Sequence, residues 1–283
     1  MKKYRIVCLG DNCVDYYDET GTPYFGGNPV NVAVYVSRLG GEAAYLGAVG
    51  TDSFGTQMKE AIAQKGVDVS HVQVQEGRTA LTHVTIRDGD RVFGDYEEGV
   101  MADFRLREED HLFISRFPLA VSGVWGHCEN DLARIQDAGV TVAFDASDAL
   151  EEPAVQIAIP HTDILFLSDD KSDDASLKSV LAALWQQGPS IVVATRGEKG
   201  SMAFDGQVFY EEGIVPCKVV DTMGAGDSFI AGFLMKWLEM NRTEDVSGGI
   251  MAGTKASAAG AIPACMRAGA ESSAVTLGYA GAW

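Results

Sequence analysis

The chain has 283 residues, 46% of them hydrophobic and 9% aromatic, with a formal net charge of −18. That composition supplies one large α/β core, and the acidity excludes nucleic acid and anionic membranes as partners, because both demand a basic face. Five cysteines without a C-x-x-C pair are most simply reduced thiols in a cytoplasmic protein.

Met1-Lys2-Lys3 has the basic look of a leader, but the apolar run behind it stops at Gly10-Asp11, too short for a signal h-region. No stretch approaches a membrane span. Tyr4 to Leu9 is expected as a buried strand, followed by a polar turn from Gly10 through Asp15. In open α/β sheets ligands bind beyond the carboxyl ends of strands. Asp11 and Asp15 are therefore placed to hold hydroxyl groups, although the pair also suits a turn or capping role. In Gly26-Gly27-Asn28-Pro29-Val30-Asn31 the glycines allow close backbone approach. Asn28 is expected to cap a helix that carries Pro29 in its first position and ends at Gly40. Asn31, on the first turn, can point into the same space. Ala44 to Val49 is expected as a strand, and Phe54 to Lys65 as a helix stopped by Gly66.

Between Thr79 and Phe104 the pattern becomes that of a hairpin turning at Asp88-Gly89. Such a hairpin fits poorly in a parallel sheet. The acidic stretch behind it carries Asp95 and Glu98, which suit either a solvated loop or the selection of a cationic substrate. From Leu119 onwards strands and helices alternate, with a helix expected from Glu129 to Ala138. The fold class is α/β: one Rossmann-like, mostly parallel sheet sandwiched by helices over residues 1–283.

Thr195-Arg196-Gly197 follows a strand with a turn that exposes N–H groups. Late in the chain stands Asp221-Thr222-Met223-Gly224-Ala225-Gly226-Asp227, a glycine-rich turn opening an apolar helix. Free amides and the helix dipole there form a cradle for phosphate, and Asp227 on the first turn is expected to stay ionised. A phosphate cradle beside a carboxylate suits phosphoryl transfer.

This string resembles the C-terminal signature of the ribokinase family of carbohydrate kinases, and Gly26-Gly27…Asn31 resembles the N-terminal one. The resemblance implies catalysis by Asp227 with the turn Gly224, Ala225 and Gly226. It also implies sugar contacts from Asp11, Asp15, Gly27 and Asn31, and nucleotide contacts from Ser168, Thr195 and Gly197. The adenine would lie at Gly253 and Ala256. Phe93 to Phe104, Trp125-Gly126-His127 and Gly281-Ala282-Trp283 are similar to the fructosamine-kinase branch, whose substrate fructoselysine carries a cationic amine that Asp95 or Glu98 would select. The hairpin matches the family's small β lid, which the resemblance implies is formed from about residues 12–25 and 79–104 and keeps water out. ATP, Mg2+ and a monovalent cation such as K+ are the implied cofactors, and a homodimer through the lid an implied assembly. Members usually carry Asn-x-x-Glu where this chain has Ser168-Asp169-Asp170-Lys171. Magnesium is then expected only from the need to bridge ATP phosphates, with Asp221 a candidate for a monovalent cation or the magnesium water shell. Fructose or a nucleoside as substrate, and a sugar-binding regulator without chemistry, are the alternatives.

Overall fold

The computed structural model describes residues 4–87, 90–244, 250–252 and 260–283. The first half runs β1 (Arg5–Leu9), β2 (Cys13–Tyr17), β3 (Thr22–Gly26), α1 (Asn28–Arg38), β4 (Glu42–Leu46), β5 (Ala48–Gly50), α2 (Ser53–Gln64), β6 (Gln73–Gln75), β7 (Leu81–Arg87), β8 (Asp90–Glu97) and α3 (Glu108–Ile114). The second runs β9 (Leu119–Gly123), α4 (Leu132–Asp137), β10 (Thr141–Asp145), α5 (Pro153–Ala158), β11 (Ile164–Ser168), α6 (Asp174–Trp185), β12 (Ile191–Thr195), β13 (Ser201–Phe204) and β14 (Phe209–Glu212). Helix α7 (Ala225–Met240), the short pair β15 (Arg242–Glu244) and β16 (Ile250–Ala252), and α8 (Ile262–Thr276) complete it.

Eight strands form the central sheet in the order β14-β13-β12-β11-β10-β9-β1-β4. All neighbours from β4 to β12 are parallel, and β13 and β14 extend the edge antiparallel. Successive residues of β1 enter opposite cores: Ile6 and Cys8 join Val30, Val34 and Phe233 of α1 and α7, whereas Val7 and Leu9 join Leu132, Ile135 and Leu177 of α4 and α6. A strand buried on both faces needs an unbroken apolar run, which explains why the parallel strands lack alternation. Helices α7 and α8 pack closely where a Cβ on Gly232 would stand 2.6 Å from the Ala268 carbonyl oxygen.

The smaller four-stranded sheet has the order β3-β2-β7-β8. Cys13 to Asp15, expected as a turn, belongs to β2, because β3 and β7 supply hydrogen-bonding partners on both sides. The hairpin turn Asp88-Gly89 lies outside the described residues, but Arg87 and Asp90 pair across the β7–β8 ladder that flanks it. The helix expected from Glu129 shortens to α4, since the Asp131 amide first closes a turn onto the Cys128 carbonyl at 3.0 Å. Among the described residues no helix is long and apolar enough to cross a membrane.

Candidate active site

The carboxyl ends of β1, β10, β11 and β12 rise on one side of the sheet, where α/β proteins hold ligands. A cavity of about 180 Å3 opens there, lined by Ser168 and Thr195 on one side, Asn28 and Asp145 on another, and the turn Gly224–Gly226 with Asp227. Ser168 and Thr195 are register partners of β11 and β12, so the sheet sets their hydroxyls side by side.

Gly224 caps α7 in the left-handed region, φ 73°. A side chain there would also press on Tyr35, whose hydroxyl would lie 2.7 Å from the added Cβ. Gly226 differs: an added Cβ would meet nothing within 4 Å. The ground in front of the helix start is thereby left clear for a ligand to approach the backbone. Helix geometry leaves the amides of Gly226 and Asp227 without intrahelical acceptors, whereas the Ala225 amide is turned onto the Thr222 carbonyl at 3.3 Å.

Asp227 is only 7% exposed. Its Oδ2 accepts a hydrogen bond of 2.7 Å from Asn31 Nδ2, on the first turn of α1. Burial pushes its pKa well above the ordinary carboxylate value, the Asn31 donor opposes that shift, and the charges of Asp145 and Asp11 add to it. The helix start favours the ionised form of Asp227, and loss of water in this enclosed position works against it.

Gly27, φ 115°, brings the chain so near the β1 turn that a Cβ would stand 2.6 Å from Asn12 Cα. It is also the cap residue of α1, and no side chain caps that helix. The Asn28 side chain, expected as the cap, instead donates through Nδ2 to Asp145 Oδ2 at 3.0 Å. Asp11 receives the Asn28 amide on Oδ2 at 3.2 Å, and its buried Oδ1 has no partner among the described residues. Burial raises the Asp11 carboxyl to about 6, against the lowering pull of the Asn28 amide. Asp145 is raised as well, by burial first. A buried carboxylate oxygen left without a donor is costly, and a sugar hydroxyl is the kind of group that would satisfy it.

Other expected residues stand further out. Asp15 is half-buried on β2, Asp95 exposed on β8, and Glu98 half-buried beyond it. Glu98 Oε1 meets His127 Nε2 at 2.5 Å. Gly197, φ 56°, opens a short turn behind Thr195. Asp221 accepts the Met223 amide on Oδ1 at 3.0 Å and the Gly281 amide on Oδ2 at 2.8 Å, which ties two loops together. No group of three potential metal-ligating side chains occurs among the described residues. Gly253 and Ala256 lie outside the described residues.

Asn28 and Asp145 line the cavity without having been singled out from the sequence. Asp145 ends a parallel strand, so the position rule that found Asp11 applies equally to it. Trp283, whose indole Nε1 donates to Asn31 Oδ1 at 2.8 Å, stands out in the sequence only through the resemblance of Gly281-Ala282-Trp283 to the fructosamine-kinase branch, which assigns it no contact.

An α/β sheet with these strand-end carboxylates facing a glycine-capped helix is the architecture of the ribokinase-like kinases. The solved Arabidopsis thaliana ribokinase complexed with ribose and ATP superposes with a TM-score of 0.81 at 20% identity, covering 100% of this chain and 95% of that one. A fructokinase with bound ATP from Xylella fastidiosa gives 0.80 at 22% identity, over 99% of this chain and 94% of that one. At such identities the likeness establishes the fold. The chain belongs to the pfkB family of carbohydrate kinases, whose pattern matches residues 4–283. It is 42% identical over 278 residues to a fructoselysine 6-kinase of Shigella flexneri, covering 98% of this chain and 99% of the relative. A Bacillus subtilis protein named fructosamine kinase FrlD is 34% identical over 234 residues, covering 81% and 82% respectively.

Proposed function

We propose that this protein is an ATP-dependent kinase that transfers the γ-phosphoryl group to the 6-hydroxyl of fructoselysine or a related fructosamine. The observation that carries the reading is Asp227, buried on the first turn of α7 and facing the same cavity as the Gly224–Gly226 turn. The full-length likeness to a fructoselysine 6-kinase supports the choice of substrate.

In the proposed reaction the 6-oxygen attacks the γ-phosphorus and its proton passes to the Asp227 carboxylate. The bond from the γ-phosphorus to the β–γ bridging oxygen breaks, and ADP leaves with that electron pair. A base whose pKa has been lifted towards the working pH takes a proton more effectively than an ordinary aspartate. The amides of Gly226 and Asp227 face the charge that develops on the phosphoryl oxygens. Asp11, Asp15, Gly27 and Asn31 hold the sugar, with the orphaned Asp11 Oδ1 accepting one of its hydroxyls. Ser168, Thr195 and Gly197 take the nucleotide phosphates or ribose, and Gly253 and Ala256 the adenine. Magnesium bound to ATP would supply charge neutralisation on the phosphates, and Asp221 is the candidate for a monovalent cation or for the magnesium water shell.

A fructosamine differs from fructose by its cationic amine. Asp95 and Glu98, at the end of the smaller sheet, supply negative charge for it. That sheet would cover the sugar as a lid, and its exposed Tyr24 and Tyr96 suit a second copy of the chain as partner.

The test is an ADP-release assay with fructoselysine, fructose and a purine nucleoside, with the product's phosphorylated carbon located by NMR. Fructoselysine is expected to react fastest, at carbon 6. No turnover of any of the three would overturn the kinase assignment, and equal turnover of fructose would overturn the fructosamine one.

A further inference from the structure

Asn31 stands between two partners that together dictate its orientation. Its Nδ2 donates to Asp227 at 2.7 Å, and its Oδ1 accepts from the Trp283 indole at 2.8 Å. An indole nitrogen can only donate and a carboxylate can only accept, so the amide fits between them in one orientation and not flipped. The segment that carries the indole is held at several points. Tyr35 on α1 donates to the Ala282 carbonyl, the Gly281 amide donates to Asp221, and Lys65 sits 5.3 Å over the Trp283 ring. The same segment backs the α7 cap, where an added Cβ on Gly224 would approach Ala282 to 3.2 Å.

We propose that Trp283 is a positioning residue for the reaction: its indole N–H locks the Asn31 amide so that the NH2 end, not the oxygen, meets Asp227. Without that lock the amide can turn its oxygen to the carboxylate or swing aside, and either motion strips Asp227 of its donor. The inference rests on the kinase assignment for its catalytic consequence, but the contact itself does not. Ionisable groups facing Asp227 from neighbouring elements are Asp11 beyond β1, Asp145 at the end of β10 and Tyr35 on α1. All three persist in a Trp283→Phe variant, which keeps an aromatic ring beneath Lys65 and loses the donor together with one ring of the indole.

The experiment compares parent and Trp283→Phe by two readouts. One is the pH profile of kcat/KM for fructoselysine. The other is the titration of the Asp227 carboxyl carbon in ligand-free protein labelled with 13C-aspartate, its signal assigned from its disappearance in Asp227→Asn. A donor favours the ionised carboxylate. Its loss is expected to move both the acid limb and the carboxyl titration upward by several tenths of a pH unit, with a several-fold fall in activity near neutral pH. A merely structural role would lower activity without moving either. Tyr35→Phe, which frees Ala282 and keeps the indole, is expected to give a smaller shift in the same direction, and carries the test if Trp283→Phe does not fold. An unchanged carboxyl titration in the folded variants overturns the proposal. A shifted titration in a protein whose parent turns over no sugar sustains the contact and sinks the kinase assignment instead.

Discussion

Asn28 Nδ2 reaches Asp145 Oδ2 at 3.0 Å, which joins the first turn of α1 to the end of β10 and fixes a half-buried carboxylate whose charge is felt at Asp227. Asp145 and Asp227 line the cavity and Asp11 is tied to it through the Asn28 amide; all three carboxyls are pushed upward chiefly by burial. A carboxyl raised by folding binds its proton more tightly in the folded than in the unfolded chain, so its contribution to stability is complete below the ordinary carboxylate pKa. That contribution is lost as pH rises through the folded value. For Asp11 the window runs from 3.8 to about 6, worth roughly 3 kcal/mol at most. The melting temperature is expected to rise between pH 7.5 and pH 5, and Asp11→Asn to flatten that rise. Calorimetry across the range would count against the account if the variant traced the parent's curve.

Replacing Asp227 by Asn keeps the shape and removes the base. Turnover is expected to fall about 10²–10⁴-fold, while the melting temperature at pH 7.5 rises because a neutral amide no longer resists burial. An ADP-release assay and a thermal scan on the same preparation check both halves. A variant that retained a tenth of the parent rate would remove Asp227 from the proton transfer.

Two glycines separate folding from function. Gly27→Ala forces a side chain to φ 115° and to 2.6 Å from Asn12 Cα, and is expected to destabilise by about 1–2 kcal/mol or more. Gly226→Ala meets no neighbour and improves helix propensity by up to about 1 kcal/mol. Stability is then expected to hold or rise while kcat falls at least tenfold, because the methyl group occupies ground meant for the phosphoryl oxygens. Melting curves and steady-state kinetics on the pair would contradict this if Gly226→Ala were fully active.

The acidic residues beyond β8 are expected to act on charge alone. Asp95 is exposed, so Asp95→Asn should lower kcat/KM for fructoselysine by no more than about fivefold, less at high salt, and leave fructose unaffected. Glu98, half-buried and joined to His127 at 2.5 Å, is expected to matter more when changed to Gln. Equal losses for both sugars would remove these carboxylates from substrate selection.

Local patterns carried much of the fold into the sequence. The apolar runs of β1, β11 and β12 are long because both faces are buried, and Gly40 and Gly66 close their helices in the left-handed region, φ 86° and 82°. Gly27 and the Gly224–Gly226 turn were legible because a backbone that must fold tightly or lie bare admits few residues. What escaped depends on partners distant in the chain. Cys13 to Asp15 become a strand because β3 returns along them on one side and β7 arrives more than sixty residues later on the other. Asn28 gives up its expected capping role because Asp145 waits 117 residues away. The rise in the Asp227 pKa is a property of the surrounding enclosure, which no neighbouring residue announces.

Asn28, Asp145 and Asp227 line the pocket, and Trp283 backs it through Asn31, from stretches of chain far apart in order of synthesis. A nascent polypeptide on the ribosome that has completed β12 carries Asn28 and Asp145, yet it still lacks Asp227 and the Gly224–Gly226 turn. A chain that stops there is expected to turn over no sugar.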